Sequence, residues 1–304
     1  DALEALFAEL REMESGALTV GDRSGMGDTR AVMEAKDVFK MADNFKAKSV
    51  VFDELKQEDW QFFNFKDSLW QKGFALPKQA LAADAIVQTC CLKTHRFGGH
   101  FTLSLKNSVG IAAKRVPGND YNFMSELHGS ADQRTMIAEI NTADKPDLVV
   151  LDGVDAFTTG GPDKGKEVNA GVILAGTDRV AIDAIGVAIL RHFGTTDEVS
   201  KGKIFEQEHI LAVLGIPAPA ARAQVRNAIS HGKDQMLQPR NVCNSVIKLK
   251  SPTHRISISV LERLRPHYSE ATFYFVRMAL EQTIENKRKH HNEENSASKQ
   301  CQCA

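Results

Sequence analysis

Residues 89–110 carry an unusual number of side chains that could take part in chemistry. The stretch reads TCCLKTHRFGGHFTLSLKNSVG and includes Lys93, His95 and Lys106. Side chains at the end of a strand are held firmly yet remain accessible, as a site requires. A lysine that leaves water needs an anion to compensate for its lost hydration. We therefore predict that Lys93, His95 and Lys106 are catalytic, with His95 transferring protons because its ordinary pKa lies near neutrality.

The anion that compensates these lysines has more than one candidate. It could be an acidic side chain, with Asp152, Asp178 and Asp183 as the candidates, or the carboxylate or phosphate of a small ligand. Alternatively, both lysines could extend from a surface strand into water. The sequence leaves these alternatives open, and our interpretation is a polar site that binds a small anionic ligand.

Metal binding is a weaker interpretation of the same stretch. Cys90, Cys91, His95 and His100 are suitable ligands, and His128 could approach from a later segment. Adjacent residues of a strand point to opposite faces, so only one of the two cysteines could join the histidines. We assign no metal ligands.

Nucleophilic catalysis and iron-sulfur ligation are also weakly indicated. A cysteine beside His95, or Ser104 beside Lys106, would form a nucleophile and base pair, but neither lies in a Gly-x-Ser-x-Gly context. No cysteine-rich run has the spacing of an iron-sulfur cluster. The cofactor is therefore unassigned, and we predict that the chain itself ligates no such cluster.

Strands should position these residues. Residues 86–92 form a nearly continuous apolar run, typical of a buried parallel strand that delivers Lys93 and His95 to its carboxyl end. A second strand at 101–105 would end at Lys106 and Asn107, and a third at 147–151 would end at Asp152. The remaining predicted strands are 17–20, 48–52, 170–175, 246–249 and 256–260.

Helices and loops complete an α/β fold. We predict a largely parallel or mixed central sheet covered by helices, with a helical extension at the C-terminus. The segment 113–130 should be a loop or lid that carries His128, and 158–166 a mobile surface rim. The predicted helices are 2–14, one from about 30, 131–141, one opened by Asp178 and ending at Gly194, 203–213, 219–230 and 270–289.

Two glycine-rich segments could bind phosphate. The turn at 21–29 lies between a strand and a helix, but Arg30 replaces the third glycine of a dinucleotide fingerprint, so a tight turn capped by Asp28 or Thr29 is favoured. The segment 158–166 nearly matches a nucleotide-binding loop, but Glu167 replaces its Ser/Thr. The aromatic residues of 59–73 are expected to pack on the sheet rather than stack on a ligand.

The composition excludes some classes of protein. With 38 basic and 39 acidic side chains, no net field favours nucleic acid. No apolar run has the roughly 18 residues of a transmembrane helix. The 5 cysteines do not form a secreted disulfide framework. These features indicate a soluble, cytoplasmic protein, although the chain starts at Asp1 and its N-terminal segment could be missing.

Four motifs follow one another in a recognisable order. They are Leu92-Lys93-Thr94-His95; Ser104-Leu105-Lys106-Asn107 with Gly110; Asp152-Gly153 with Gly160-Gly161-Pro162 and Gly165; and the run from Ala175 through Asp178 and Asp183 to Ala184. Together they resemble the bacterial and archaeal family called domain of unknown function 362. The similarity extends from the N-terminus to about residue 230.

The resemblance implies more than the spacing alone. Many family members carry ferredoxin-type cysteine clusters, so it implies a redox role with an external ferredoxin-type electron donor. The family's first strand, with a Lys-Pro-Asn element, is absent, which implies an N-terminally truncated member. We predict a family-like domain at 1–232, an accessory extension at 233–289 that could mediate oligomerisation through its helix, and a disordered tail at 290–304.

The predicted site combines motif positions and charges. Its ligand-binding residues are Asn107, Asp152, Gly160, Gly161, Gly165, Asp178 and Asp183. The lysines and His95 would form a cationic wall and the aspartates its acidic counterpart. The alternative is a non-catalytic binding or scaffold protein in which the same charges form structural ion pairs.

Overall fold

The computed structural model describes residues 2–213. The elements that the sequence predicts at 219–230, 246–249, 256–260 and 270–289 lie outside the described residues, as does the tail at 290–304. The predicted boundary after residue 232 also lies there.

Helices and strands are interspersed along the described chain. The strands are β1 (Thr19–Asp22), β2 (Lys48–Val51), β3 (Trp60–Phe63), β4 (Phe74–Pro77), β5 (Val87–His95), β6 (His100–Thr102), β7 (Leu148–Gly160) and β8 (Gly165–Gly176). The α-helices are α1 (Ala2–Glu12), α2 (Thr29–Ala35), α3 (Val38–Asn44), α4 (Lys78–Leu81), α5 (Ser104–Asn107), α6 (Phe123–Gly129), α7 (Gln133–Ala143), α8 (Arg179–His192), α9 (Asp197–Ser200) and α10 (Glu208–Val213). Short 3₁₀ helices occur at Phe52–Glu54, Gln57–Asp59, Ser108–Gly110 and Ile204–Glu206.

The central sheet has the order β6-β5-β7-β8 and is mixed. Strands β5 and β7 are parallel, whereas β6 and β8 are antiparallel to their neighbours. The apolar run that predicts β5 places Cys90 and Leu92 in the core beneath α8, and α1 packs against the β7–β8 part of the sheet. The predicted α/β class with a mixed, helix-covered sheet is confirmed.

Helix α8 anchors one side of this core. Asp178 accepts hydrogen bonds from the backbone N–H groups of Val180 and Ala181 and caps the helix N-terminus, as the sequence predicts. The side chains of Val187 and Leu190 are fully buried against the sheet. Burial of each contributes about 1.5–3 kcal/mol relative to exposure.

Two smaller sheets flank the central one. Strands β1 and β2 are parallel, so their carboxyl ends at Asp22 and Val51 lie side by side. Strands β3 and β4 are antiparallel, and Trp60 and Trp70 are buried in the core that also contains α7. The expected aromatic packing holds for these tryptophans, whereas Phe62 and Phe65 are 41% and 39% exposed.

Four local predictions were wrong. The second strand ends at Thr102, and Lys106 and Asn107 lie on the helical turn α5. The segment 113–130 contains α6, which carries His128. Strand β7 continues past Asp152 to Gly160. The segment 158–166 is a tight β7–β8 hairpin, with Gly160 paired to Gly165, rather than a long loop. In each case strand pairing or helix capping by other parts of the chain decides the secondary structure of a stretch whose own hydrophobic periodicity is weak.

No helix within residues 2–213 combines the length and apolar character needed to cross a membrane.

Candidate functional site

The β5–β6 hairpin presents two of the predicted catalytic residues. Lys93 pairs in register with Thr102, and His95 pairs with His100. Cys90 and Leu92 face the core, so the alternation of β5 places Lys93 with the exposed Cys91 on the opposite side. Lys93 is half-buried and His95 is buried.

Lys106 reaches the same region from α5. This helical turn exists because the buried carboxylate of Asp183 accepts hydrogen bonds from the backbone N–H of Ser104 at 2.7 Å and of Leu105 at 3.2 Å. Arg179 supports it by donating to the Ser104 carbonyl at 2.9 Å. Burial raises the pKa of Asp183 to about 7, while these N–H groups and Arg179 favour its charged form. Asp183 therefore positions α5 through its backbone.

Lys106 is a buried amine that forms no ion pair with the carboxylates of residues 2–213. It is 5% exposed, and among residues 2–213 no carboxylate oxygen lies within 4.0 Å of its Nζ. Its stem lies against Gly99, where a Cβ would be 2.8 Å from the Lys106 Cδ. Burial, followed by the charges of Lys93 and Arg23, lowers the pKa of Lys106 to about 8.

His95 is neutral at physiological pH. Burial is the main cause that lowers its pKa to about 3, and Lys106, His128 and Lys93 act in the same direction. The Phe97 backbone N–H donates to His95 Nδ1 at 3.3 Å, so the hydrogen-bond pattern assigns the proton to Nε2. His95 thus offers an N–H donor.

His128 has the opposite tautomer. Its Nδ1 lies 2.8 Å from the Met124 carbonyl oxygen, which can only accept, so the proton is on Nδ1 and Nε2 keeps its lone pair. Burial lowers the pKa of His128, and the charges of Lys106 and Arg23 lower it further. The two imidazoles therefore offer one donor and one acceptor.

Sequence reasoning missed the β1 turn as part of this region. Arg23 is buried and donates to the carbonyls of Val109 and Ala112. Burial lowers its pKa, whereas Asp53 and Asp22 raise it. The available signal was the position of these charged residues directly after the apolar strands β1 and β2, where parallel strands present ligand-binding groups. The predicted capping of this turn by Asp28, which accepts from the Ala31 N–H at 2.8 Å, is confirmed.

We define the cationic cluster as Lys93, His95, Lys106, Arg23 and His128. Its acidic neighbours include Asp22, whose pKa is raised by burial and lowered by Arg23 and Lys93. Asp53 lies nearby, accepts from Thr29 Oγ1 and forms an ion pair with Lys114 at 3.6 Å.

The predicted acidic wall of Asp152, Asp178 and Asp183 is not brought together. Asp152 is opposite Cys91 in the sheet and accepts from the Val154 N–H at 3.0 Å. Asp178 caps α8 and Asp183 caps α5. Within residues 2–213, none of the three lies within 4.0 Å of Lys93 or Lys106. Their role in ligand binding remains a prediction.

The other predicted ligand-binding residues have structural contacts. The Asn107 side chain donates to the Thr89 carbonyl at 3.0 Å and ties α5 to β5. Gly160 and Gly165 close the β7–β8 hairpin. Gly161, at φ +59°, lies so close to the Thr94 carbonyl that a Cβ could not fit. The hairpin is thereby held against the end of β5, and Arg96 donates to the Gly161 carbonyl at 2.7 Å.

The cluster combines two amines, a guanidinium and two imidazoles, which are groups that can donate hydrogen bonds to an anion. Within residues 2–213, no group of three or more His, Cys, Asp and Glu side chains could hold a metal ion. Cavities of about 510 and 340 Å³ lie elsewhere, one beside Tyr121 and Glu126 and the other beside Asp144 and Arg179. Neither is lined by Lys93, His95 or Lys106.

Comparisons with known proteins agree with the motifs. Residues 1–188 match the family model described as domain of unknown function 362. The thylakoid-associated protein sll1697 of Synechocystis sp. is 27% identical over 189 residues, covering 62% of this chain and 55% of that protein. The chain thus spans about half the length of this curated relative. No solved structure matches.

Proposed function

The chain belongs to the family described as domain of unknown function 362, and on that premise we propose that its cationic cluster binds a small anionic substrate or cofactor. One observation carries the proposal. Lys106 is buried, yet the described part of the chain provides no carboxylate within 4.0 Å of its Nζ. An uncompensated buried ammonium costs several kcal/mol, which a bound anion would offset.

The neighbours of Lys106 support an anion as its partner. Lys93 and Arg23 add positive charge, and His95 adds a neutral Nε2–H donor. A carboxylate or phosphate accepts several such hydrogen bonds at once, and charge-assisted bonds are stronger than neutral ones. A bound anion would also raise the pKa values of Lys106 and His95 towards their ordinary values, because it stabilises their charged forms.

His95 is the proposed proton-transfer residue. Its Nε2–H is a neutral donor, and the negative charge of a ligand would make the ring more basic. The redox use of this site, with an external ferredoxin-type electron donor, is supported by the resemblance of the motifs alone.

The competing function is a scaffold whose charges form structural ion pairs. Such pairs do occur, for example between Arg179 and Asp144 at 3.2 Å. Lys93 and Lys106, in contrast, form none with the described residues. This difference favours ligand binding over the scaffold.

Thermal unfolding with inorganic phosphate, sulfate and oxalate tests the proposal. At least one anion should stabilise the full chain, by about 2.7 kcal/mol at a hundredfold excess over Kd. Lys93→Met and Lys106→Met should lose that stabilisation, whereas Lys40→Met, which removes an exposed lysine of α3, should keep it. If no anion stabilises the wild-type chain, or if Lys106→Met responds as the wild type does, the proposal is wrong.

A further inference from the structure

We propose that α10 is an acid-released latch, which leaves its docked position on β6 and α5 when the imidazole of His209 takes up a proton. The inference does not depend on the proposed anion site. It assigns a regulatory role to a buried histidine that the proposed function leaves unused.

Docking of α10 buries two consecutive side chains. His209 is 1% exposed, and its ring packs on Phe101 of β6 with 4.9 Å between the ring centroids. Ile210 is fully buried and clusters with Leu105 of α5 and Ala184 of α8. The docked helix therefore holds an imidazole away from water.

The imidazole has no hydrogen-bond partner in this position. Within residues 2–213, neither ring nitrogen of His209 has a donor or an acceptor at hydrogen-bond distance. A protonated imidazole carries two N–H donors and a positive charge, and burying these unpaired costs far more than burying the neutral ring. Protonation of His209 and docking of α10 therefore oppose each other.

The charged neighbours of His209 strengthen this opposition. The groups that act on its ring are cations or imidazoles from four elements, namely Lys106 of α5, Arg134 of α7, His100 of β6 and His95 of β5. Like charges disfavour a second positive charge, and none of these groups is an acid that could compensate it.

The acidic side chains near α10 are engaged elsewhere. Asp183 of α8 accepts from the backbone N–H groups of α5, and Glu208 of α10 pairs with Arg134 at 2.5 Å. The side chains of α8 and of the 3₁₀ helix Ile204–Glu206 that join the Ile210 cluster are apolar: Val180, Ala184, Ile204 and Phe205. These elements offer His209 no anionic partner in the docked state.

Few other contacts hold α10 in place. Its buried side chains are His209 and Ile210, and the Arg134–Glu208 ion pair is partly exposed, which limits its contribution. Strand β7, in contrast, pairs with β5 on one side and with β8 on the other. Since elements with few buried contacts open at lower free energy than core strands, α10 can leave while the sheet stays folded.

Release of α10 changes the surroundings of the β5–β6 hairpin. Arg134 donates to Glu208 and also to the Gly98 carbonyl at 2.8 Å, so it connects α10 to the turn of that hairpin. Undocking removes Glu208 from this connection and uncovers Phe101 and Leu105, which are fully buried in the docked state. The latch thereby couples pH to the contacts of the hairpin.

The direction of the pH effect follows from the two states of His209. Burial, followed by the charges of its neighbours, lowers its pKa in the docked state well below 6.5, whereas the released ring has an ordinary pKa of about 6.5. Below pH 6.5 the released state binds more protons, so its population should rise about tenfold per pH unit.

Hydrogen–deuterium exchange of the full chain from pH 7.5 to pH 5 tests the latch. The probe is the Leu211 amide, which donates to the Gln207 carbonyl at 3.0 Å, and the amides of β7 are the reference. After correction for the intrinsic exchange rate, protection of Leu211 should fall about tenfold per pH unit below pH 6.5 and stay about tenfold or more below that of β7. Equal protection of Leu211 and β7 at every pH would show that α10 opens only when the whole chain unfolds, which overturns the latch.

His209→Leu and His209→Gln remove the titrating group in two ways. Protection of the Leu211 amide should lose its pH dependence in both variants, although glutamine, as an unpaired buried amide, raises opening by one factor at every pH. His192→Leu, which removes an exposed histidine of α8, should keep the wild-type dependence. A wild-type pH dependence in both His209 variants, or no pH dependence in the wild type, would overturn the assignment of His209.

Discussion

Lys106 lies across Gly99, so closely that a Cβ at Gly99 would overlap the Lys106 Cε and stand 3.2 Å from His95 Nδ1. The absence of a side chain at Gly99 therefore creates the space in which the two reactive groups meet. Since Gly99 belongs to the turn between β5 and β6, the hairpin sets the position of an amine that α5 supplies.

Gly99→Ala should displace Lys106 while leaving the fold intact. The nearest obstructing atoms belong to the far end of a flexible lysine, which can move, so we expect a stability loss of only about 1 kcal/mol. Anion affinity should fall about tenfold, because a misplaced cation forfeits a charge-assisted hydrogen bond. Thermal unfolding with and without oxalate measures both quantities.

Gly16→Ala is the control for that substitution, since no atom lies within 4 Å of a Cβ there. It should leave anion affinity unchanged. Equal anion affinity in Gly99→Ala and the wild type would contradict the positioning of Lys106 by Gly99.

Lys106→Met should stabilise the chain without ligand at pH 7. It removes a buried ammonium and keeps most of the apolar volume, and the pKa difference between about 8 and the ordinary 10.5 corresponds to about 3 kcal/mol. Below pH 8 both the folded and the unfolded state are protonated, so this penalty is constant. Between pH 8 and 10.5 the unfolded state holds more protons, and wild-type stability rises with pH. The advantage of the variant should therefore shrink across that range in urea unfolding.

A loss of stability in Lys106→Met would indicate that Lys106 is paired with an acidic group. If Lys106→Met loses about 3–5 kcal/mol at pH 7, a buried ion pair has been broken. Lys40→Met, which removes an exposed lysine of α3, is the control for the loss of a surface charge and should change the free energy of unfolding by less than about 0.5 kcal/mol.

Asp183→Ala should unfold α5 locally and destabilise the whole chain. The backbone N–H groups of Ser104 and Leu105 would lose their acceptor in a buried place, at about 1–3 kcal/mol each. Asp183→Asn keeps a carbonyl oxygen at this position and should cost about 1 kcal/mol. Urea unfolding compares the two. Equal losses of stability in the two variants would show that α5 depends on the negative charge of Asp183 rather than on its hydrogen-bond-accepting oxygen.

His209→Leu should stabilise the chain, and more so in acid. His209 is 1% exposed, packs on Phe101 with ring centroids 4.9 Å apart, and has no hydrogen-bond partner for either ring nitrogen among residues 2–213. Burial lowers its pKa well below 6.5, and Lys106, Arg134, His100 and His95 add to this effect. Below pH 6.5 His209 binds a proton in the unfolded state but not in the folded state. Wild-type stability therefore falls as pH falls.

The variant lacks this proton linkage. Its advantage over the wild type should be about 1–2 kcal/mol at pH 8 and grow by about 1.4 kcal/mol per pH unit below pH 6.5. Urea unfolding from pH 8 to pH 5 measures it. A constant difference across that range would show that His209 can be protonated in the folded state.

The secondary structure was predicted well where local signals were strong. The apolar runs of β5 and β7, the capping of α2 by Asp28 and the capping of α8 by Asp178 all depend on residues that are neighbours in sequence. Where the deciding partner is distant, the prediction failed. Residues 101–105 have a strand-like pattern, but Asp183, far along the chain, accepts from the backbone N–H groups of Ser104 and Leu105 and caps a helical turn that begins at Ser104.

The candidate site likewise divides into features that local sequence predicted and features that depend on distant residues. Its motifs identified Lys93, His95 and Lys106. Lys93 and His95 lie on β5, and the Lys106 side chain reaches from α5 to Gly99, beside His95. The sequence assigned their acidic counterpart to Asp152, Asp178 and Asp183, and none of these three lies within 4.0 Å of Lys93 or Lys106 among residues 2–213. Arg23, whose charge lowers the pKa of Lys106, and His128, whose own pKa is lowered by Lys106, were not chosen as site residues. Nothing local distinguishes them from a turn residue and a lid residue.

By itself, the sequence determined the family and the α/β class, and it selected Lys93, His95 and Lys106 through their motif positions alone. The tertiary structure alone decided that Lys106 lacks a described carboxylate partner, that His95 is neutral and that His95 and His128 have opposite tautomers. The physical reason is that periodicity and capping are local, whereas burial and charge depend on groups that only folding brings into contact.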